Sequence, residues 1–355
     1  MKKILALILA LVMALSLVAC GEKAPAADDG AAAGDDTTVY KMNVSFAAPE
    51  FSTTEITAAL DRIQAASNGR IEFTYYYSWS LSSVPTVVDD LTSGVVDIAA
   101  VPINEHLALF PYSNLVTYTP FLGLPNMLDA AKIYDELYAE NEVFAQEYAN
   151  LGLKYWTNYP CPGYNIFTTK DNQIKTPDDL AGLKLITSSS MMAQFIEAHG
   201  GAVLNSPVTD YATNLNTNVA DGVVNHANVL AAFGCMDFVN GVTVFGEQGT
   251  AVSIMMMCFS EDAWNALPAD LQALFEAEAT ALRDGQGAWD NGANGGNIAG
   301  IGEKGGAVVE LTEDEIKVWQ DAFAPFLSDY IAELEAGGAT EAQAIYDALQ
   351  AKLAA

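Results

Sequence analysis

The chain has 355 residues, 51% hydrophobic and 17% charged, with 45 acidic side chains against 15 lysines and arginines. At roughly 100–200 residues per domain, that length holds two domains with substantial cores. A net charge of −30 repels phosphate backbones and anionic headgroups, which excludes nucleic acid as a partner, and the three arginines, Arg62, Arg70 and Arg283, leave few places to grip a carboxylate bidentately.

Residues 1–20 start Met1-Lys2-Lys3, continue as an uncharged apolar run from Ile4 to Ala19 and end at Cys20. A positive start and an apolar stretch too short for a comfortable span read as a signal peptide. Leu17-Val18-Ala19-Cys20 resembles the lipobox of bacterial lipoproteins, which implies that Cys20 carries the lipid and that the protein sits on the extracytoplasmic face of the cell membrane. One acyl chain binds membranes only marginally, so the anchor implied is the multiple-chain one. Residues 21–38 contain no aromatic or large aliphatic side chain and read as a flexible acidic tether.

From Val39 the pattern alternates strands and helices. Val39–Phe46 is a strand, Thr53–Ser67 a helix stopped by Asn68-Gly69, Ile71–Tyr77 a strand, Val84–Thr92 a helix stopped by Ser93-Gly94, and Val95–Val101 an apolar strand covered on both faces. The β-α-β-α-β order predicts a doubly wound α/β domain. After a strand at Leu153–Trp156, a second cycle runs through a strand at Tyr164–Thr168, a capped turn at Thr176–Leu180 and a strand at Leu183–Thr187. It continues as a helix at Ser190–His199, a helix at Thr209–Asn218 and a strand at Gly222–Asn225. Ile254–Phe259 returns to strand, Ser260–Arg283 is a long helical stretch that Ala288–Ile298 extends weakly, and Glu313–Leu334 and Glu341–Leu353 are amphipathic helices. Two lobes follow, 39–160 with 250–285 and 161–249 with 286–355. Ligands of open α/β sheets sit at the carboxyl ends of the strands, which places a cleft between the lobes.

Several segments carry a family resemblance. Gly152-Leu153-Lys154, Lys175-Thr176-Pro177-Asp178-Asp179-Leu180-Ala181-Gly182-Leu183-Lys184 and Asn216-Thr217-Asn218-Val219-Ala220-Asp221-Gly222 resemble the DctP family, the solute-binding proteins of tripartite ATP-independent periplasmic (TRAP) transporters. Ser67-Asn68-Gly69-Arg70-Ile71, Leu91-Thr92-Ser93-Gly94-Val95-Val96-Asp97 and Trp264–Gln272 occur in the family's order as well. The resemblance implies a two-lobed, periplasmic-binding-protein-like α/β fold with a long helix spanning both lobes. It implies a protein that captures a small organic solute and delivers it to the small and large membrane subunits of a permease.

The family usually carries an arginine two residues past the lysine of the Asp-Leu-x-Gly-Leu-Lys motif and another two residues after a glycine in the preceding strand, pairing with the solute carboxylate. These positions hold Ile186 and Asn165 here. The departure points to a neutral, zwitterionic or aromatic solute, because a buried carboxylate without a charge-assisted partner loses several kcal/mol. The family's asparagine three residues after Asp-Gly is present as Asn225, and His226 stands where proline is usual. His226 is read as a donor to an oxygen of the solute or, if protonated, as an attraction for an anion, and otherwise as a neutral hinge or surface residue.

Residues at strand ends complete the candidate ligand set: Phe46, Trp79, Trp156, Tyr159, Ser188 and Ser189, with Asn104 and Ser190 beside them. Glu50 and Glu105 are read as solvated loop carboxylates. No metal site, cofactor motif or catalytic constellation is read from the three histidines or from Met255-Met256-Met257-Cys258, whose side chains alternate between strand faces. Cys161, Cys235 and Cys258 are either free thiols or include one disulfide. A lipoprotein feeding a sensor, not a permease, fits the same residues.

Overall fold

A computed structural model describes residues 38–170 and 173–354. The signal peptide, Cys20 and nearly all of the tether lie outside the described residues. The strands are β1 (Tyr40–Ser45), β2 (Ile71–Tyr76), β3 (Ile98–Pro102), β4 (Leu153–Pro160), β5 (Asn165–Thr168), β6 (Lys184–Ile186), β7 (Ala202–Leu204), β8 (Gly222–Asn225), β9 (Gly241–Val244), β10 (Ile254–Ser260) and β11 (Ala307–Glu310). They form one sheet ordered β2-β1-β3-β10-β4 and a second ordered β11-β9-β5-β8-β6-β7.

β10 runs antiparallel between β3 and β4, so the chain returns to the first sheet after β9 and crosses again to place β11 in the second, and the lobes are joined by several crossings. Met255, Met257 and Phe259 enter the cluster beneath α1 (Thr54–Ala66), while Ile254, Met256 and Cys258 enter the cluster on the opposite face. A strand buried on both faces carries such a continuous apolar run, and the methionines there fill cores. Cys161, Cys235 and Cys258 are all free thiols.

Three helices absent from the sequence reading, α3 (Pro111–Thr117), α4 (Met127–Glu140) and α5 (Glu142–Ala149), follow α2 (Val87–Thr92) and cover the first sheet. On the second lobe, α6 (Ser190–Ala198), α7 (Tyr211–Asn216) and α8 (Ala227–Ala232) pack on the second sheet. Leu267-Pro268 separates α9 (Glu261–Ala266) from α10 (Ala269–Glu303), as the proline predicts. α10 is longer than its sequence suggests. It continues without a break through seven glycines between Gly285 and Gly302, each about 1 kcal/mol worse than alanine in a helix, so packing sustains it. Its first half lies on α1 and β4 and its second half on α8 and β11.

The carboxyl-terminal segment departs from the expected division at 286–355. In α11 (Glu313–Ala336), Ile316, Trp319 and Phe323 sit in the second lobe's core, whereas Ile331 sits in the first lobe's. Pro325 lies between them and removes a helical hydrogen bond where the helix changes lobes. The last helix, α12 (Ala342–Leu353), packs on α3 and α4 of the first lobe through Ile345 and Leu349. Amphipathicity showed that these helices bury a stripe, without showing which lobe receives it.

Candidate ligand-binding site

The carboxyl ends of β1, β3 and β4 in the first sheet and of β6 and β8 in the second flank two crossing segments, 161–164 and 245–253. Cys161 N–H donates to Ser253 O at 2.7 Å, Tyr164 N–H to Ala251 O at 2.9 Å and Thr250 N–H to Tyr164 O at 2.7 Å. The two strands of this hinge approach so closely that a Cβ on Gly163 would stand 2.4 Å from the carbonyl carbon of Gln248. Only glycine fits there.

Around the hinge the chain assembles an aromatic wall. The Tyr118 ring lies edge-on to Tyr164 at 5.7 Å, and Tyr164 lies 5.6 Å from the His226 ring. Tyr118, at the end of α3, also reaches Ser188 after β6, hydroxyl to hydroxyl at 3.0 Å, so an element of the first lobe bonds the second. Asn225 Oδ1 accepts from the His226 N–H at 2.8 Å, and burial pushes the Tyr211 hydroxyl up to about 12. Burial likewise raises the hydroxyls of Tyr118 and Tyr164, leaving all three phenols neutral.

Glu105 closes this group. It follows β3 in a single 3-10 turn, is solvent-exposed, and accepts from Asn104 Nδ2 at 3.2 Å. Its charge is close enough to raise Tyr118, Tyr164 and Tyr211 further. Water reaches it, and partial desolvation raises its pKa. It is the solvated residue that the sequence suggested.

On the long helix beside the hinge, the Asp290 carboxylate accepts from Gln286 Nε2 at 2.9 Å and Asn228 Nδ2 at 3.3 Å. Burial pushes Asp290 up to about 7, and its charge reaches Tyr159 and Cys161.

The expected site residues divide. Asn225, His226, Ser188 and Tyr159 come to the hinge end of the sheets. His226 is 8% exposed with Nδ1 unpartnered, and desolvation lowers its pKa to about 4. Its burial favours the neutral ring over a protonated one that would attract an anion. Ser189 caps α6 by accepting from Met192 N–H, with Ser190 as the first residue of that helix. Asn165 pairs with Asn225 across β5 and β8, but both its polar ends are taken: Oδ1 accepts from Phe245 N–H at 3.0 Å and Nδ2 donates to Gly163 O.

Ile186, Trp156 and Phe46 are core residues. Ile186 packs with Phe167 and Val223, Trp156 donates its indole N–H to Phe275 O on α10, and Phe46 stacks on Tyr77 at 5.4 Å with no exposed surface. Their strands are buried on both faces, so a strand-end position does not select the cleft. Trp79 sits in a left-handed turn, φ 57°, and rests half-buried on the first lobe's core. Tyr118, Tyr164, Tyr211 and Asp290 escaped the sequence reading because separate segments converge on them. The one available signal was a tyrosine beside each strand or helix terminus.

None of the residues that meet here is lysine or arginine. Arg62 pairs with Glu278, Arg70 with Asp270 at 2.7 and 3.1 Å, and Arg283 with Asp135 and Asp284. A cavity of about 210 Å³ lined by Asn126, Asp129, Lys132, Glu247 and Asn291 adjoins the crossing segment 245–253 at Glu247. Among the described residues no group of three His, Cys, Asp or Glu side chains could hold a metal ion, and no helix is long and apolar enough to cross a membrane.

Residues 45–333 match bacterial extracellular solute-binding protein family 7, DctP. A solute-binding protein of Chromohalobacter salexigens is 23% identical over 64% of this chain and 66% of its own length. The ectoine-binding periplasmic protein TeaA of Halomonas elongata is 23% identical over 80% of both chains. A TRAP solute-binding protein of Rhodoferax ferrireducens, crystallised with copurified benzoate, superposes with a TM-score of 0.77 at 18% identity over 88% of this chain and 97% of that one. These relatives bind solutes and are not enzymes. The chain belongs to the DctP family of TRAP-transporter solute-binding proteins.

Proposed function

We propose that this protein is held by a lipid on Cys20 at the extracytoplasmic face of the cell membrane, where it captures a neutral, zwitterionic or aromatic solute and hands it to the small and large permease subunits. The observation that carries the solute class is the placement of the three arginines. Each is committed to a carboxylate in the first lobe, so a dicarboxylic acid would enter an aromatic cleft with no guanidinium to meet it. Relatives bind solutes as different as ectoine and 2,3-diketo-L-gulonate, so family membership leaves the solute open.

Binding draws the lobes together about the paired crossings at Gly163 and Gly249 without any bond being made or broken. A thermal-shift screen tests the reading: neutral, zwitterionic and aromatic compounds raise the melting temperature and simple C4-dicarboxylates do not. The largest shift from a dicarboxylate would overturn it. The anchor is tested separately, since Cys20→Ala releases the protein from the membrane fraction.

A further inference from the structure

The helix that carries Tyr118 to the second lobe is short and has no cap of its own. α3 spans 7 residues, Phe110 before it gives no side-chain cap, and Pro111 at its start has no N–H. The first amides left without helical partners, those of Tyr112 and Ser113, both donate to Glu147 of α5, 35 and 34 residues away. Ser113 Oγ adds a third bond to the same carboxyl group at 2.6 Å. At the far end of α3, Tyr118 meets the Ser188 hydroxyl at 3.0 Å, and just beyond it Phe121 N–H donates to Thr250 O at 2.7 Å. Whatever fixes the start of α3 therefore positions two residues that join the lobes.

Glu147 is 7% exposed, and none of its hydrogen-bond partners is a cation. The titratable groups around it are Tyr112 of α3, Tyr134 of α4, Tyr148 beside it on α5 and Tyr330 of α11, with Tyr138, Cys258 and Glu333 beyond them. Burial keeps the Tyr134, Tyr148 and Tyr330 phenols neutral, and Glu333 is itself an acid, so nothing here offsets a negative charge. A carboxyl group buried without a counter-charge favours its protonated form, and Glu147 is pushed up to about 7. The neighbouring hydroxyls accommodate the proton. Ser113 Oγ bonds the Tyr134 hydroxyl at 2.8 Å, which bonds the Tyr148 hydroxyl at 2.8 Å. Hydroxyls rotate, so Ser113 donates to the carboxylate or accepts from the carboxylic acid over the same contact.

We propose that Glu147 is a positioning residue that docks α3: protonated, it holds Tyr118 and Phe121 against the second lobe, and ionised, it loosens segment 111–121. Opening that segment lets water reach the carboxylate, so the open form gains on the closed one as pH rises from the ordinary carboxyl range to about 7. The lobes are then tied more firmly in acid than above neutrality. Its consequence for capture rests on the solute-binding reading above, whereas the fastening belongs to the unliganded protein.

The test is hydrogen exchange on the full chain without solute, for wild type and Glu147→Gln, corrected for the intrinsic exchange rate at each pH. Between about pH 5 and 7 the ratio of wild-type to variant protection at amides 112–121 falls about tenfold per pH unit, and the ratio at 187–193 falls with it. Asp290 titrates in both proteins and cancels in the ratio. Ser113→Ala gives a second reading should Glu147→Gln not fold. It keeps the carboxyl group but removes a hydroxyl that donates to the anion, so the fall moves to higher pH. A ratio that is independent of pH or rises with it overturns the proposal, as does a fall confined to 112–121. An unshifted fall in Ser113→Ala assigns the titration to another group and overturns it as well. No solute is present, so none of these outcomes touches the solute-binding reading, which the thermal-shift screen decides.

Discussion

Asp290 makes the stability of this protein depend on pH in a direction opposite to that of most carboxylates. Its pKa is pushed from 3.8 to about 7 by burial beside the hinge. Below about pH 4 the group is protonated in both folded and unfolded chains and contributes no pH dependence. Between about 4 and 7 the unfolded chain releases the proton while the folded chain holds it, so stability falls as pH rises, by about 1.4 kcal/mol per unit and about 4 kcal/mol in all. Above 7 the loss is complete.

Asp290→Asn removes this titration. Its amide donor faces Gln286 Nε2 or Asn228 Nδ2, both donors themselves, at a pH-independent cost of about 1–2 kcal/mol. The variant is therefore less stable than wild type near pH 4 and more stable by about 2–3 kcal/mol at pH 8, with the curves crossing between. At about 2 °C per kcal/mol for a body this large, the variant melts about 5 °C higher at pH 8. The assay is melting temperature from pH 4 to 8 for both proteins. Glu147, also pushed up to about 7 by burial, and the acidic surface act on both alike and cancel in the difference. Parallel curves, or a wild type that gains on the variant as pH rises, would refute the reasoning.

Other positions give sharper structural tests. Phe121 holds φ 58° and sets its ring among Phe195, Phe245, Trp319 and Phe323, clamping a first-lobe segment to the second lobe's core. Phe121→Ala costs about 2–4 kcal/mol in urea unfolding, and Phe121→Gly costs no more despite being smaller, because glycine relieves about 1 kcal/mol of left-handed strain. Glycine falling below alanine would contradict this. Gly163→Ala forces the paired crossings apart and lowers stability by about 2–3 kcal/mol, and a melting temperature within 1 °C of wild type would show that the hinge yields instead. In α10 a Cβ at Gly295 or Gly296 meets open space, so each alanine substitution raises stability by about 0.5–1 kcal/mol in the same unfolding assay, and a loss there would mean that the helix needs those glycines.

What the sequence revealed follows from what is local. Helix stops at Asn68-Gly69 and Ser93-Gly94, the proline at the start of the 177–180 turn and the break at Leu267-Pro268 are decided within a few residues, and all are formed where expected. The ligand set is not local. Trp156 and Tyr159 share a strand and both face the long helix, one donating to Phe275 O and the other lying near Asp290, a convergence that needs β4 placed against α10. Tyr118 and Ser188, 70 residues apart, meet only because α3 ends at the hinge where β6 also ends.

Counting arginines escaped this difficulty, because a residue type present three times can be followed to each of its partners. Where arginine is scarce, each copy already engaged by a carboxylate is one fewer to meet a solute, and these three are engaged in ion pairs far along the chain: Arg62 with Glu278, Arg70 with Asp270 and Arg283 with Asp135. The pairings explain why acidity and arginine scarcity belong together here. The first lobe uses its guanidinium groups to tie α1, the turn after it and α4 to the long helix.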